Sequence, residues 1–233
     1  MADLYFVDFS SMDVEELIKK YEDKVDRQRL SRITRTRADK ARVRSLLGGY
    51  LLQVAVKDYL GISDENKVLD LHYLYGKHGK PYLADYPELF FSLSHSGNVV
   101  ALVISEQEVG LDVQQYVTVK DSLAKRFFTE EEAFLLSHET DKESYERLFF
   151  AMWSIKESYI KFTGCGIGQG LDSFEIDFKK REISENKAGK SEEFPKQKVA
   201  VFEEILLPGI SNYAVSICMK DREGVRVCTQ KMI

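Results

Sequence analysis

Cysteine is scarce in this chain. Cys165, Cys218 and Cys228 are odd in number and have no metal-ligand spacing. That pattern sets aside a disulfide scaffold and points to reduced thiols in a cytoplasmic protein. Fourteen glycines and four prolines in 233 residues are too few for a fibrous or low-complexity chain. A membrane-length apolar run is missing too. The longest uncharged stretch, Leu89–Ser105, is broken by Ser94, His95, Ser96, Gly97 and Asn98, a turn signal between two strands. The opening MADLYFVDFSSMD has no basic region followed by an apolar core, so no secretory signal is expected. No G-x-S-x-G elbow occurs, which argues against serine-hydrolase chemistry. The run Gly164, Gly166, Gly168, Gly170 follows an expected helix and lacks Gly-Lys-Ser/Thr, so it is a helix stop and not a phosphate-binding P-loop.

What is present describes a globular chain. Hydrophobic residues make up 44% and charged residues 30%, enough for one substantial core or two small domains sharing an interface. The net charge of -5 conceals an asymmetry. Between Lys24 and Arg44 nine Lys/Arg face two Asp, an excess of seven positive charges, so the remainder carries twelve negative ones on balance. A basic segment in an acidic protein suits a local anionic ligand; a solvated helix face is the plainer alternative.

Periodicity predicts a strand over Leu4–Phe9, a helix from Met12 to about Lys24, and a long helix from Ala38 that stops at Gly61. Gly48-Gly49 inside that helix costs about 1 kcal/mol per glycine relative to alanine, which suggests close packing or a kink. Strands are expected over 69–75, 89–95, 99–105 and 108–114, the middle two forming a hairpin. Thr129 with Glu132 fits a capping box. A second long helix is expected from Ser144 to Phe162, then a strand in DSFEIDF and three more ending near Cys228. The polar stretch 180–198 reads as a mobile excursion. Helices followed by antiparallel strands in each half favour an α+β class. The expected halves are 1–111 and 112–233.

In MWSIKESYIKFTG the apolar residues Met152, Ile155, Tyr159 and Phe162 mark a buried helix face. Trp153, Glu157 and Lys161 recur on roughly the opposite face, where Glu157 and Lys161 could simply pair at i, i+4. In EVGLDVQQ, Asp112 and Gln114 share a strand face between apolar neighbours, a poor setting for an aspartate without a partner. A hard dication takes one or two carboxylates plus substrate phosphates and water, and Asp112 and Glu157 could supply the two. Metal and phosphate together call for cations, and Lys80, Lys156, Lys161 and the basic segment offer them. Ser94, His95 and Ser96 add hydroxyl and imidazole donors at a strand end.

The order GKPY, FSLSHSG, VGLD, then WSIKESYIK after about forty residues resembles the 4′-phosphopantetheinyl transferases. It is most similar to the monomeric type that activates peptide synthetases such as surfactin synthetase, over roughly Asp26–Phe178. The resemblance implies two similar α+β halves about a pseudo-twofold axis, with coenzyme A and Mg2+ bound between them. The phosphopantetheine arm would pass to a serine of an acyl or peptidyl carrier protein. It implies metal ligands Asp112 and Glu157, with Gln114 in the place of a frequent third carboxylate. Glu157 and Lys161 would be catalytic. Lys80, Ser94, His95, Lys156 and Lys161 would meet coenzyme A phosphates, and Arg29, Arg32, Arg44 and Ser45 the 3′-phosphate end. The segment Val117–Phe134 would dock the carrier through Leu123, Phe127 and Phe128, with Lys120, Lys125 and Arg126 as charge partners. A cytoplasmic monomer without nucleic-acid or membrane partners is expected. The rivals are a degenerate coenzyme A binder without turnover, supported by Gln114, and a nucleic-acid module built on Arg27–Arg44.

Overall fold

The computed structural model describes residues 1–166, 168–185 and 197–228. Strand β1 (Ala2–Asp8) leads into helices α1 (Val14–Tyr21), α2 (Arg27–Ile33) and α3 (Asp39–Tyr59). A small hairpin, β2 (Tyr73–Tyr75) with β3 (Pro81–Leu83), precedes β4 (Phe90–Ser96), β5 (Val99–Ser105) and β6 (Val109–Gln115). Helices α4 (Ala124–Phe127), α5 (Glu130–Ser137) and α6 (Lys142–Thr163) follow. Strands β7 (Phe174–Asp177), β8 (Glu182–Glu185), β9 (Gln197–Glu204), β10 (Tyr213–Met219) and β11 (Val225–Cys228) complete the order. Class α+β is what the pattern predicted.

One sheet runs β11-β1-β5-β4 and the other β6-β10-β9-β8-β7. Side-chain alternation along the strands builds the layers. Val99, Ala101 and Val103 of β5 meet Val109, Leu111 and Val113 of β6 and Val215, Ile217 and Met219 of β10 in a core lying between the two sheets. The opposite residues, Val100, Leu102 and Ile104, pack under α3 with Leu47 and Leu51. On the far side Ile155, Tyr159 and Ile160 of α6 cover Phe202 and Cys218. The stacking is therefore helix, sheet, sheet, helix. It explains why β5 reads as an unbroken apolar run: both its faces are covered.

A division between 111 and 112 falls inside β6, which as a whole belongs to the second sheet. The C-terminal strand β11 crosses back to pair parallel with β1, so the first sheet draws on both ends of the described chain. The polar stretch 180–198 contains β8, whose Ile183 is buried; residues 186–196 of that expectation lie outside the described ones. The capping box is formed: Thr129 Oγ1 accepts from Glu132 N, and Glu132 Oε2 accepts from Thr129 N at 3.0 Å. The Gly48-Gly49 pair serves close packing. A Cβ on Gly49 would press on Arg29 and Val25, so the glycine lets α2 lie against α3.

Candidate active site

The site is set by how the two sheets meet. Strand β4 is an edge of the first sheet and β6 an edge of the second. Outward-facing N–H groups of an edge strand need acceptors. Ser92 Oγ accepts from Leu111 N (3.0 Å), Ser94 Oγ from Val113 N (3.1 Å) and Ser96 Oγ from Gln115 N (3.0 Å). Alternate residues of one strand thus meet alternate residues of the other, and three hydroxyls stand in for a backbone ladder. Sequence reasoning took Ser94 and Ser96 as ligand donors and missed the seam. Its signal was the S-x-S-x-S period itself.

Helix α6 lies directly on β6. A Cβ on Gly110 would run into the Ser158 carbonyl oxygen and the Phe162 amide nitrogen, so only glycine allows this approach. It brings Asp112 of β6 and Glu157 and Lys161 of α6 together. Asp112 is 2% exposed. Its Oδ1 accepts from Lys161 Nζ at 2.7 Å and from Ser94 Oγ at 2.9 Å. Its Oδ2 accepts from Gln114 Nε2 at 2.9 Å. Burial, and next the Asp112 charge, push the Glu157 carboxyl above its usual value, with Lys161 opposing. The two carboxylates therefore repel across a shared site, a donor set that suits a hard dication. Among the described residues no group of three or more His, Cys, Asp and Glu gathers, so substrate oxygens and water would have to complete any shell. Gln114 turns its amide nitrogen, not its oxygen, toward Asp112. Here it supports the aspartate, and the expectation of Gln114 as a metal ligand is corrected to that extent.

A cleft of about 350 Å³ opens beside Glu157 and Lys161, walled by Lys80, Phe91, Leu93 and Gly164. It shares Gly79, Pro81 and Leu93 with a second hollow of about 210 Å³ holding Arg29 and Arg32. Buried Asp26 positions those arginines. Its Oδ1 caps α2 by accepting from Arg29 N (2.8 Å), and its Oδ2 accepts from Tyr73 O–H (2.8 Å). The guanidinium groups then stack over Tyr73 (5.5 Å) and Tyr75 (5.1 Å). Lys80 reaches the cleft wall, but its ammonium donates to Glu108 and to the Val109 and Phe162 carbonyls, which leaves it as a clamp on the C-terminal end of α6. His95 lies on the opposite face of β4 from Ser94 and is exposed. Surrounding protein, then the Arg44 and Lys161 cations, hold its imidazole below the usual range. Arg44 donates to the Gly97 carbonyl; neither it nor Ser45 lines the two hollows.

Comparison with known proteins fits this geometry. The profile of the 4′-phosphopantetheinyl transferase superfamily (ACPS) matches residues 108–218, a stretch that includes β6 and α6. The 4′-phosphopantetheinyl transferase gsp of Aneurinibacillus migulanus is 33% identical over 175 residues, 75% of this chain and 68% of that protein. The chain belongs to the 4′-phosphopantetheinyl transferase superfamily. The 4′-phosphopantetheinyl transferase Sfp of Bacillus subtilis (strain 168) is 33% identical over 134 residues, 57% of each chain. The psf-1 transferase of Bacillus pumilus is 34% identical over 132 residues, 56% of this chain and 54% of that one. The matched stretch thus spans little more than half the length of these two relatives.

Two expectations carried by the superfamily resemblance are corrected. Lys156 does not reach the cleft. It is 0% exposed, and its Nζ donates to Glu132 Oε2, Leu171 O and Phe174 O, each at 2.8 Å. All three ammonium hydrogens are used, tying the capping box of α5 to α6. Of the proposed docking anchors one is core and two are half-buried. Phe128 is buried against Phe149 and Phe127 sits edge-on to Trp153 at 5.0 Å, with Leu123 packed beside them. The exposed residues of that segment include Val117, Lys120, Lys125, Arg126 and Phe134, together with the acidic Glu130 and Glu131. No helix among the described residues is long and apolar enough to cross a membrane.

Proposed function

We propose that this chain transfers the 4′-phosphopantetheine arm of coenzyme A to a serine of an acyl or peptidyl carrier protein, releasing 3′,5′-ADP. The observation that carries this reading is a cleft lined by Glu157 and Lys161, with Asp112 bonded to Lys161 behind it, that continues to Arg29 and Arg32. An elongated anion with a diphosphate on one side of its ribose and a phosphate on the other suits such a groove. Asp112 and Glu157 are the residues that would hold Mg2+, which would draw off part of the diphosphate charge and fix its orientation.

The carrier serine oxygen attacks the β-phosphorus, and the bond from that phosphorus to the bridging oxygen breaks. The electron pair leaves with 3′,5′-ADP. Lys161 offsets the charge that grows on the bridging oxygen. Glu157 takes the serine proton through a water. Arg29 and Arg32 hold the 3′-phosphate end, and His95 donates to a phosphate oxygen. An acidic carrier would meet Lys120, Lys125 and Arg126, with Val117 and Phe134 as apolar contacts. The three free cysteines accord with a cytoplasmic setting, and a monomer suffices because both halves come from one chain.

The decisive experiment mixes the protein with an apo carrier, coenzyme A and Mg2+ and reads the intact mass of the carrier, which should gain the arm. Asp112→Ala and Glu157→Ala should slow transfer at least about a hundredfold. Gln114→Ala should fall by about tenfold, as a support and not a ligand. Full activity in Asp112→Ala would contradict the assignment.

A further inference from the structure

Asp112 is the most heavily engaged carboxylate of the site. An ionised carboxylate offers about four lone-pair positions. Here Lys161 and Ser94 fill both positions on Oδ1, and Gln114 takes one on Oδ2. Ser94 cannot retreat: its oxygen also accepts from Val113 N and from Lys161 Nζ at 2.9 Å, as part of the seam between the sheets. The Asp112 side chain is held in a strand between the shared core and α6, and is 3% exposed. Of the two partners on Oδ1, only one can move. Lys161 is 30% exposed, stands on a four-carbon stem, and lines the cleft where an anion would lie.

A dication on Oδ1 would need the position the ammonium now holds, and one on the remaining Oδ2 position would still stand within a carboxylate's width of that ammonium. Three positive charges at that range in a low-dielectric cleft repel strongly. We propose that Lys161 and a divalent cation compete for Asp112, so that the cation loads well only when an anion in the cleft draws the ammonium away. This inference rests on the proposed reading of the cleft as a diphosphate site. It adds a coupling that reading does not contain. Lys161 acts as resident counter-ion of Asp112 before binding, and the anion both recruits Lys161 and frees its former partner. By reciprocity the dication must then strengthen anion binding by the same factor.

The test titrates the full chain with Mn2+ alone and follows free Mn2+ by electron paramagnetic resonance. Lys161→Met should bind Mn2+ about tenfold or more tightly than the unsubstituted chain, because one charge-assisted hydrogen bond no longer has to break. Arg44→Met removes a neighbouring charge that does not touch Asp112, and should change affinity by less than about threefold. In an Asp112→Asn background the gain from Lys161→Met should vanish. Coenzyme A should tighten Mn2+ binding markedly in the unsubstituted chain and much less in Lys161→Met. Should Lys161→Met fold poorly, judged by its urea midpoint, Lys161→Gln replaces it. Equal Mn2+ affinity with and without the lysine overturns the proposal, as does a gain that persists in Asp112→Asn. If coenzyme A binds but no carrier is modified, the transfer reading fails while the competition stands.

Discussion

At the residue scale, one lysine of the WSIKESYIK motif works at the cleft and the other inside the protein. Lys161 stands at the cleft, and Lys156, five positions earlier, is sealed among Glu132, Leu171 and Phe174. Burial pulls the Lys156 ammonium below its usual value while Glu132 opposes that shift. Breaking such a buried pair strands the other charge. Lys156→Ala is therefore expected to cost about 3–5 kcal/mol of stability in urea unfolding, whereas a loss confined to coenzyme A affinity would return Lys156 to the cleft. His95 makes a second case. Its imidazole is held below the usual range, so near neutral pH it is uncharged. A bound phosphate would raise that pKa, so binding takes up a proton and coenzyme A affinity should rise as pH falls toward the free imidazole's pKa. Ring-proton NMR titrations with and without coenzyme A check the shift. An unchanged pKa on binding would remove His95 from the phosphate site.

At the scale of elements, the contact between β6 and α6 sets the geometry. Gly110→Ala must push the helix outward against fixed backbone at Ser158 and Phe162. Overpacking of this kind costs about 1–3 kcal/mol, and it moves Lys161 and Glu157 relative to Asp112. Transfer should fall by more than the stability loss explains. A crystal structure of the variant with α6 in place would refute the argument. The elements themselves were largely legible. The long helices α3 and α6, the β4–β5 hairpin and the capping box followed from periodicity and cap chemistry. Asp112 was legible as needing a partner from its charge in an apolar strand, while the joining of Glu157 and Lys161 to it rested on the family resemblance, since by spacing alone those two could simply pair with each other. For the serine seam the S-x-S-x-S period marked three hydroxyls on one strand face but not their partner, because a hydroxyl accepting a backbone N–H leaves the same trace as one awaiting a ligand. The inward turn of Lys156 was not legible, because it depends on α5, a separate element, bringing Glu132 over it.

For the molecule as a whole, the shared core between the sheets predicts that the halves do not unfold separately. Trp153, the only tryptophan, reports on the second half. Its fluorescence and the far-UV circular dichroism should change along one urea transition with one midpoint. Two midpoints would mean that the inter-sheet core contributes little. The same layering limits how the motif strand can vary. β6 gives one face to the shared core, the other to α6, one edge to β10 and the other to the serines. No side of it is left to absorb change. A saturation scan should therefore show residues 109–113 as a continuous intolerant band in which inactivity and misfolding coincide at nearly every position. Asp112 would stand out there as the place where a soluble, well-folded variant is nonetheless inert.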